Sequence, residues 1–444
     1  MTRLETLWIR LQASLWFAPT VVVVASIVAA LLLIEGSGLV GDEMVERWPR
    51  VFGSGADGAR GMLSAIATSM ITVAGVVFSI TIVALSMTAA QYSPRVLRNF
   101  MSDRPTQLVL GVFVGCFAYC LVVLRTIRVD DDLGDFVPTL AVLGGMAYAM
   151  VGIAFLIFFI HHVAQSIQAS FILVRIADEV DHAVEHMFPD DIGRGEEPRF
   201  RQAPTVLPEV WVPVKAEADG YVVAVAGEPL FEFACEHHRI VRLRPAIGDF
   251  VVRGSVLIEV GGPQPLEEDD ARQLRGWVTI GRQRTVEQDP SFGIQQLVDV
   301  AVKALSPGIN DPTTAAMCVD RLTAVLTRLA GRHIPDPYRM AGGQLRVIAP
   351  APDFRALIIL SFGAIIHHAR SEPLLLGRML ECMRDLAGVT DDPAHRRAVA
   401  WVANAIWRAL ADPSRSAQLT LSRRRARQLA KDLRELEPDE KAPQ

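Results

Sequence analysis

Charge is missing from four long stretches of this chain. No Asp, Glu, Lys or Arg interrupts the 24 residues between Arg10 and Glu35, the 34 between Arg60 and Arg95, or the 20 between Arg104 and Arg125. A fourth gap of 25 residues separates Asp135 from His161. Roughly 20 apolar residues cross a bilayer core as a helix, so each gap qualifies as a span. The apolar core of the first, Phe17 to Ile34, exceeds the ~7–15 residues of a signal-peptide core and reads as a retained helix.

Other absences narrow the function. The five cysteines are odd in number and form no C-x-x-C pair. That excludes a disulfide framework and fits a reducing compartment. A net charge of −5 and a pI near 6.1 leave no basic footprint for a nucleic-acid partner. There is no G-x-S-x-G, Walker A, H-E-x-x-H or G-x-G-x-x-G string, so no enzyme activity and no cofactor are expected. None of the spans carries a central acid or base, which argues against a proton-coupled carrier but leaves a passive channel open. Asp178, His182 and His186 share a helical face, read as a solvated amphipathic surface. The adjacent pairs His161–His162, His237–His238 and His367–His368 would diverge by ~100° on a helix, so no metal site is expected.

What is present divides the chain. Residues 1–164 read as a four-helix transmembrane domain, with spans at about 16–35, 61–92, 105–124 and 136–160. Residues 165–209 read as a helical stalk, continuous with the fourth span, and a proline-rich linker. A small β-barrel or sandwich module follows at 210–262, then a mostly helical domain at 263–434 and a charged, disordered tail at 435–444. The expected fold class is therefore a membrane α-helical bundle joined to an α+β cytoplasmic region.

Four spans put both termini on one side. Six arginines (3, 10, 95, 98, 104 and 175) favour the termini inside and five (47, 50, 60, 125 and 128) oppose it, so the positive-inside rule barely decides. The unpaired soluble cysteines favour cytoplasmic termini.

The second span is too long to be only an anchor. Gly61 to Pro94 would reach roughly 50 Å as one helix at about 1.5 Å per residue, against a core of ~30 Å. It must tilt, project or break. At ~100° per residue, Ser64, Thr68, Thr72, Gly75, Ser79 and Ser86 share an arc of about 80°. The opposite face carries Ile66, Met70, Val77 and Leu85. Two readings stand: small residues and hydroxyls form a helix–helix contact, or copies of the stripe line a water-filled path. Arg95 and Arg98 follow a turn at Pro94. They would either anchor on lipid phosphates or form an electropositive vestibule that favours anions. The third span contains Gly111-Val-Phe-Val-Gly115, a G-x-x-x-G packing pattern.

In the soluble part, glycine turns separate short runs such as Tyr221-Val222-Val223 and Phe250-Val251-Val252. Their spacing resembles the barrel-sandwich hybrid of biotinyl and lipoyl carrier domains. The stretch that should carry the modified Lys, Ala234-Cys235-Glu236-His237-His238, has none, so a structural or docking module is implied. Gly293 to Leu305 and Thr313 to Leu329 read as helices, the second capped by Asp311 ahead of Pro312. Gln344 to Ile348 reads as a strand.

Several strings resemble a family of predicted bacterial membrane proteins catalogued as domain of unknown function 2254. They include Gln91-Tyr92-Ser93-Pro94-Arg95-Val96-Leu97-Arg98-Asn99-Phe100 and Ser306-Pro307-Gly308-Ile309-Asn310-Asp311-Pro312. The resemblance spans about residues 10 to 430. It implies a bacterial inner-membrane protein with a cytoplasmic C-terminal region and assigns no activity. The leading expectation is a homo-oligomeric ion channel or pore-like transporter in the lipid bilayer, its second helix lining the path for an ion or small solute. The alternative is a membrane-anchored scaffold or sensor whose soluble region binds a partner.

Overall fold

The computed structural model describes residues 16–37, 55–91, 103–128, 136–187, 207–262, 265–332, 336–350 and 353–411. The chain divides into two compact units, Met1–Phe171 and Ile172–Gln444.

The first unit contains four helices, each long and apolar enough to cross a membrane: α1 (Phe17–Ser37), α2 (Ala56–Gln91), α3 (Arg104–Thr126) and α4 (Thr139–Ser166). α3 is the most enclosed and α1 lies along it. The Gly111/Gly115 pattern forms this contact. A side chain at Gly111 would meet the Pro19 backbone at 3.0 Å, and one at Gly115 would meet the Ser26 hydroxyl at 2.6 Å and that of Tyr148 at 2.7 Å. Lipid supplies little hydrophobic drive between helices, so close approach and interhelical hydrogen bonds hold such bundles. Ser26 and Tyr148 are joined at 2.7 Å, linking α1 to α4, and the Tyr119 hydroxyl of α3 donates to the Ala141 carbonyl of α4 at 2.7 Å.

Each bundle end is also tied. Asp103 caps α3, accepting from the Thr106 hydroxyl at 2.6 Å and pairing with His162 Nε2 of α4 at 2.8 Å. At the other end Arg60 donates to the Ile127 carbonyl at 2.8 Å. α4 does not run on into a stalk. Its ladder stops at Ile167–Gln168, where the Ser166 hydroxyl and the Gln168 amide take the Val163 and Ala164 carbonyls. Polar side chains that compete for backbone carbonyls bend or end helices.

The second unit begins with most of α5 (Ala169–Met187). Expected as a stalk, this helix is instead a core element: Ile172, Leu173, Ile176, Ala177, Val180, Ala183 and Val184 are buried at helical spacing. Val180 lies so close to Gly293 that a side chain there would overlap it, and Asp181 pairs with Arg328. Burial pushes the Asp181 carboxyl up, with Arg328 opposing.

The β region is not a closed barrel confined to 210–262. Strands β1 (Trp211–Lys215), β2 (Gly220–Val225), β3 (Ile240–Leu243), β4 (Phe250–Val251) and β5 (Val256–Gly261) are joined by β6 (Val278–Gly281), β7 (Tyr338–Ala341) and β8 (Gln344–Ile348). They form a five-stranded sheet, β1-β5-β3-β8-β7, and a three-stranded sheet, β4-β2-β6. Helix α6 (Gly227–Glu236) holds Ala234, Cys235 and Glu236, the start of the stretch where a carrier domain would bear its Lys, and α7 (Glu268–Gly276) precedes β6. Leu230 and Phe233 of α6 enter the same core as Val222, Val241, Ile258 and Val347. The physical reason is size: five short strands do not bury both their faces, so later segments complete the sheets.

The remaining helices are α8 (Pro290–Ala304), α9 (Pro312–Ala330), α10 (Phe354–His368), α11 (Pro373–Val389) and α12 (Pro393–Leu410). Asp289, Asp311 and Asp392 each cap a helix whose first residue is Pro, pairing an N-cap acceptor with a residue that needs no N–H. Asp311 accepts from the Thr314 hydroxyl and, at 3.0 Å, from its amide, and these bonds hold its carboxyl below the ordinary range. Asp311→Ala is expected to cost about 1 kcal/mol in unfolding at pH 7. A lowered folded pKa stabilises above the unfolded value of about 3.9 and is lost as pH falls through the folded value. The difference from wild type therefore shrinks below about pH 4, which denaturation of the full chain at pH 7 and pH 3 measures.

Candidate functional site

α2 is unbroken for 36 residues. At about 1.5 Å per residue it is roughly 54 Å long, so the length excess found in the sequence is not resolved by a break. Its inner face is Ala59, Leu63, Ala67, Met70, Ala74 and Val77, all buried at spacings of three or four. Glycines of α4 receive it. A side chain at Gly145 would meet Leu63 at 2.8 Å, and one at Gly152 would meet the Met70 sulfur at 3.1 Å.

The hydroxyl stripe occupies the other side. Ser64, Thr68, Thr72, Gly75, Ser79 and Ser86 are all exposed, and nothing lies within 4 Å of a side chain built at Gly75. Among the described residues, the stripe is left exposed and is not packed against the other three helices. Thr72 returns its hydroxyl to the Thr68 carbonyl at 2.7 Å. Within the charge-free part of the helix, from Gly61 on, extending the arc at ~100° per residue adds Gly61, Ile82 and Ala90, also exposed. Ile82 is then the single large apolar residue among nine. Ile71 and Phe78 border the arc on one side and Val76 on the other, each at least 40% exposed. The result is a narrow polar groove between apolar shoulders on a helix otherwise suited to lipid. Arg95 and Arg98 lie outside the described residues.

Sequence reasoning missed the Asp103–His162 pair and the Ser26–Tyr148 bond. Asp103 ahead of an apolar run is a helix-start pattern that signals its cap on α3, but not its pairing with His162, 59 residues away. The second had no local signal, because its partners are 122 residues apart. Among the described residues no group of three or more His, Cys, Asp or Glu is placed to hold a metal.

A bundle of four apolar helices with an α+β unit behind it defines the chain as a multi-span α-helical membrane protein. It belongs to the family described as predicted membrane protein, domain of unknown function 2254, whose model matches residues 12–385. It is similar to uncharacterized proteins of Mycobacterium tuberculosis and Mycobacterium bovis, 33% identical over 417 residues, covering 91% of this chain and 78% of each relative. No solved structure matches.

Proposed function

We propose that the protein is a homo-oligomeric, pore-like membrane transporter in which the polar face of α2 lines the path. The cytoplasmic region assembles or gates it, in a bacterial inner membrane with both termini inside. One observation carries this reading: all six stripe residues project from the protomer while the opposite face of α2 supplies its packing. Hydroxyls without a partner are costly in hydrocarbon. Apposition to other copies around an aqueous path relieves that cost, and uncharged hydroxyl walls suit a permeant ion or small solute, with anions favoured by Arg95 and Arg98.

The test is flux into vesicles containing the full-length protein, paired with disulfide crosslinking in the membrane. In a Cys235→Ser background, Ser79→Cys crosslinks copies on oxidation, whereas Leu32→Cys on exposed α1 does not. Absence of both crosslinking and flux sinks the reading. Ile82 makes a further expectation. A large apolar residue in a narrow polar path constricts it by excluding water, so Ile82→Ser raises flux severalfold above wild type in the same assay.

A further inference from the structure

On the side of the bundle formed by α1, α3 and α4 lies an open cleft of about 830 Å³. Val21 and Val22 of α1, Leu108 of α3, and Phe155 and Phe158 of α4 form much of its wall. Sites for small molecules typically measure about 300–1,000 Å³ and are largely apolar with a few polar groups. Arg104, the first residue of α3, is the one charged residue lining it among the described residues.

Arg104 is not placed there for the helix. A cation at a helix N-terminus opposes the macrodipole, and Asp103 already caps α3. Arg104 is exposed, and no hydrogen bond or ion pair joins it to another described residue. The adjacent carboxylate is occupied: Asp103 is held by His162 at 2.8 Å and by the Thr106 hydroxyl at 2.6 Å. The cleft thus combines a carbon wall, within the apolar part of the bundle, with a guanidinium at the helix start that is bonded to no other described residue. Its complement is an amphiphile with an anionic head and a hydrocarbon tail. Guanidinium matches phosphodiester oxygens in a planar, two-pronged geometry. A free phosphate ion has nothing to place against the valines and phenylalanines.

We propose that this cleft holds one anionic phospholipid of the surrounding bilayer, an acyl chain lying between α1, α3 and α4 with its phosphodiester on Arg104. The proposal is independent of the pore reading, since α2 contributes nothing to the cleft.

The experiment is native mass spectrometry of the full-length protein in mild detergent, offered equal amounts of phosphatidylglycerol and phosphatidylcholine. The wild type is expected to retain one phosphatidylglycerol per protomer in about tenfold preference, the order supplied by a hydrogen bond to a charged group. Arg104→Gln lowers retention to the phosphatidylcholine level. Leu108→Trp, which fills the wall, lowers retention of both lipids. Arg125→Gln, at the opposite end of α3, leaves the preference intact. Equal retention of the two lipids by wild type, or of neither, overturns the proposal; so does wild-type preference persisting in Arg104→Gln. If that variant does not fold, the wild-type competition decides alone.

Discussion

Thr72→Leu is expected to reduce flux through vesicle-reconstituted protein by tenfold or more while leaving the folded protomer intact. The two effects separate because of where Thr72 sits. Its side chain is exposed, and its hydroxyl bonds only to the Thr68 carbonyl in its own helix. Leu therefore removes no contact from the bundle, and Leu has at least as good a helix propensity as Thr. In a water-filled path the same change removes a hydroxyl and adds two carbons. Losing one hydrogen-bonding partner for a partly desolvated permeant raises the barrier by about 1–3 kcal/mol, and each 1.4 kcal/mol is tenfold in rate. Ser79→Asp changes the sign of the effect for charged species: it favours cations and suppresses anions. Unchanged flux in Thr72→Leu, with crosslinking lost, would mean that the face joins copies without conducting. The bundle would then be an anchor, and the scaffold or sensor reading would take its place.

The second large effect contrasts two glycines. Gly115→Leu is expected to disrupt the bundle, and Gly75→Leu to leave the protomer stable. At Gly115 even the first carbon of a side chain would lie 2.6 Å from the Ser26 oxygen and 2.7 Å from that of Tyr148. A larger side chain breaks the Ser26–Tyr148 bond and pushes α1 from α3. Overpacking alone costs about 1–3 kcal/mol, and losing the part-buried Ser26–Tyr148 bond adds about 0.5–1.5 kcal/mol, the Ser26 hydroxyl keeping its bond to the Val22 carbonyl. Gly75 faces open space. There, Leu has no protomer contact to break and instead obstructs contact between copies or the path they enclose. Thermal unfolding in detergent reads the first effect, crosslinking and flux the second. Destabilisation of the detergent-solubilised protomer by Gly75→Leu would contradict this account of the α2 face.

The transmembrane unit was legible because its signal is local. Each span announces itself in the spacing between charges, as one helix start of the soluble part does in Asp311-Pro312. The β region was less legible for the opposite reason. β3 pairs in parallel with β8, which lies about a hundred residues further on, and no periodicity within 210–262 reveals that its sheets are completed from outside. Helix α6 was missed because Gly227-Glu-Pro-Leu-Phe-Glu-Phe-Ala-Cys-Glu236 is short and lies between strands. α5 was misjudged as a stalk because its apolar stripe, read alone, does not name its partner.

The sequence alone marks a membrane protein with four apolar helices, a second apolar stretch longer than one bilayer crossing needs, and six small or hydroxylated residues on one side of it. Those are consequences of composition and of the fixed ~100° turn per residue. Which side of that helix faces its own bundle could not follow from periodicity, since both a hydroxyl stripe and an alanine-rich stripe can pack. Only the tertiary structure decided it. Gly145 and Gly152 of α4 offer hollows that fit Leu63 and Met70, so the face that carries these two residues turns inward and the hydroxyl face is left outside.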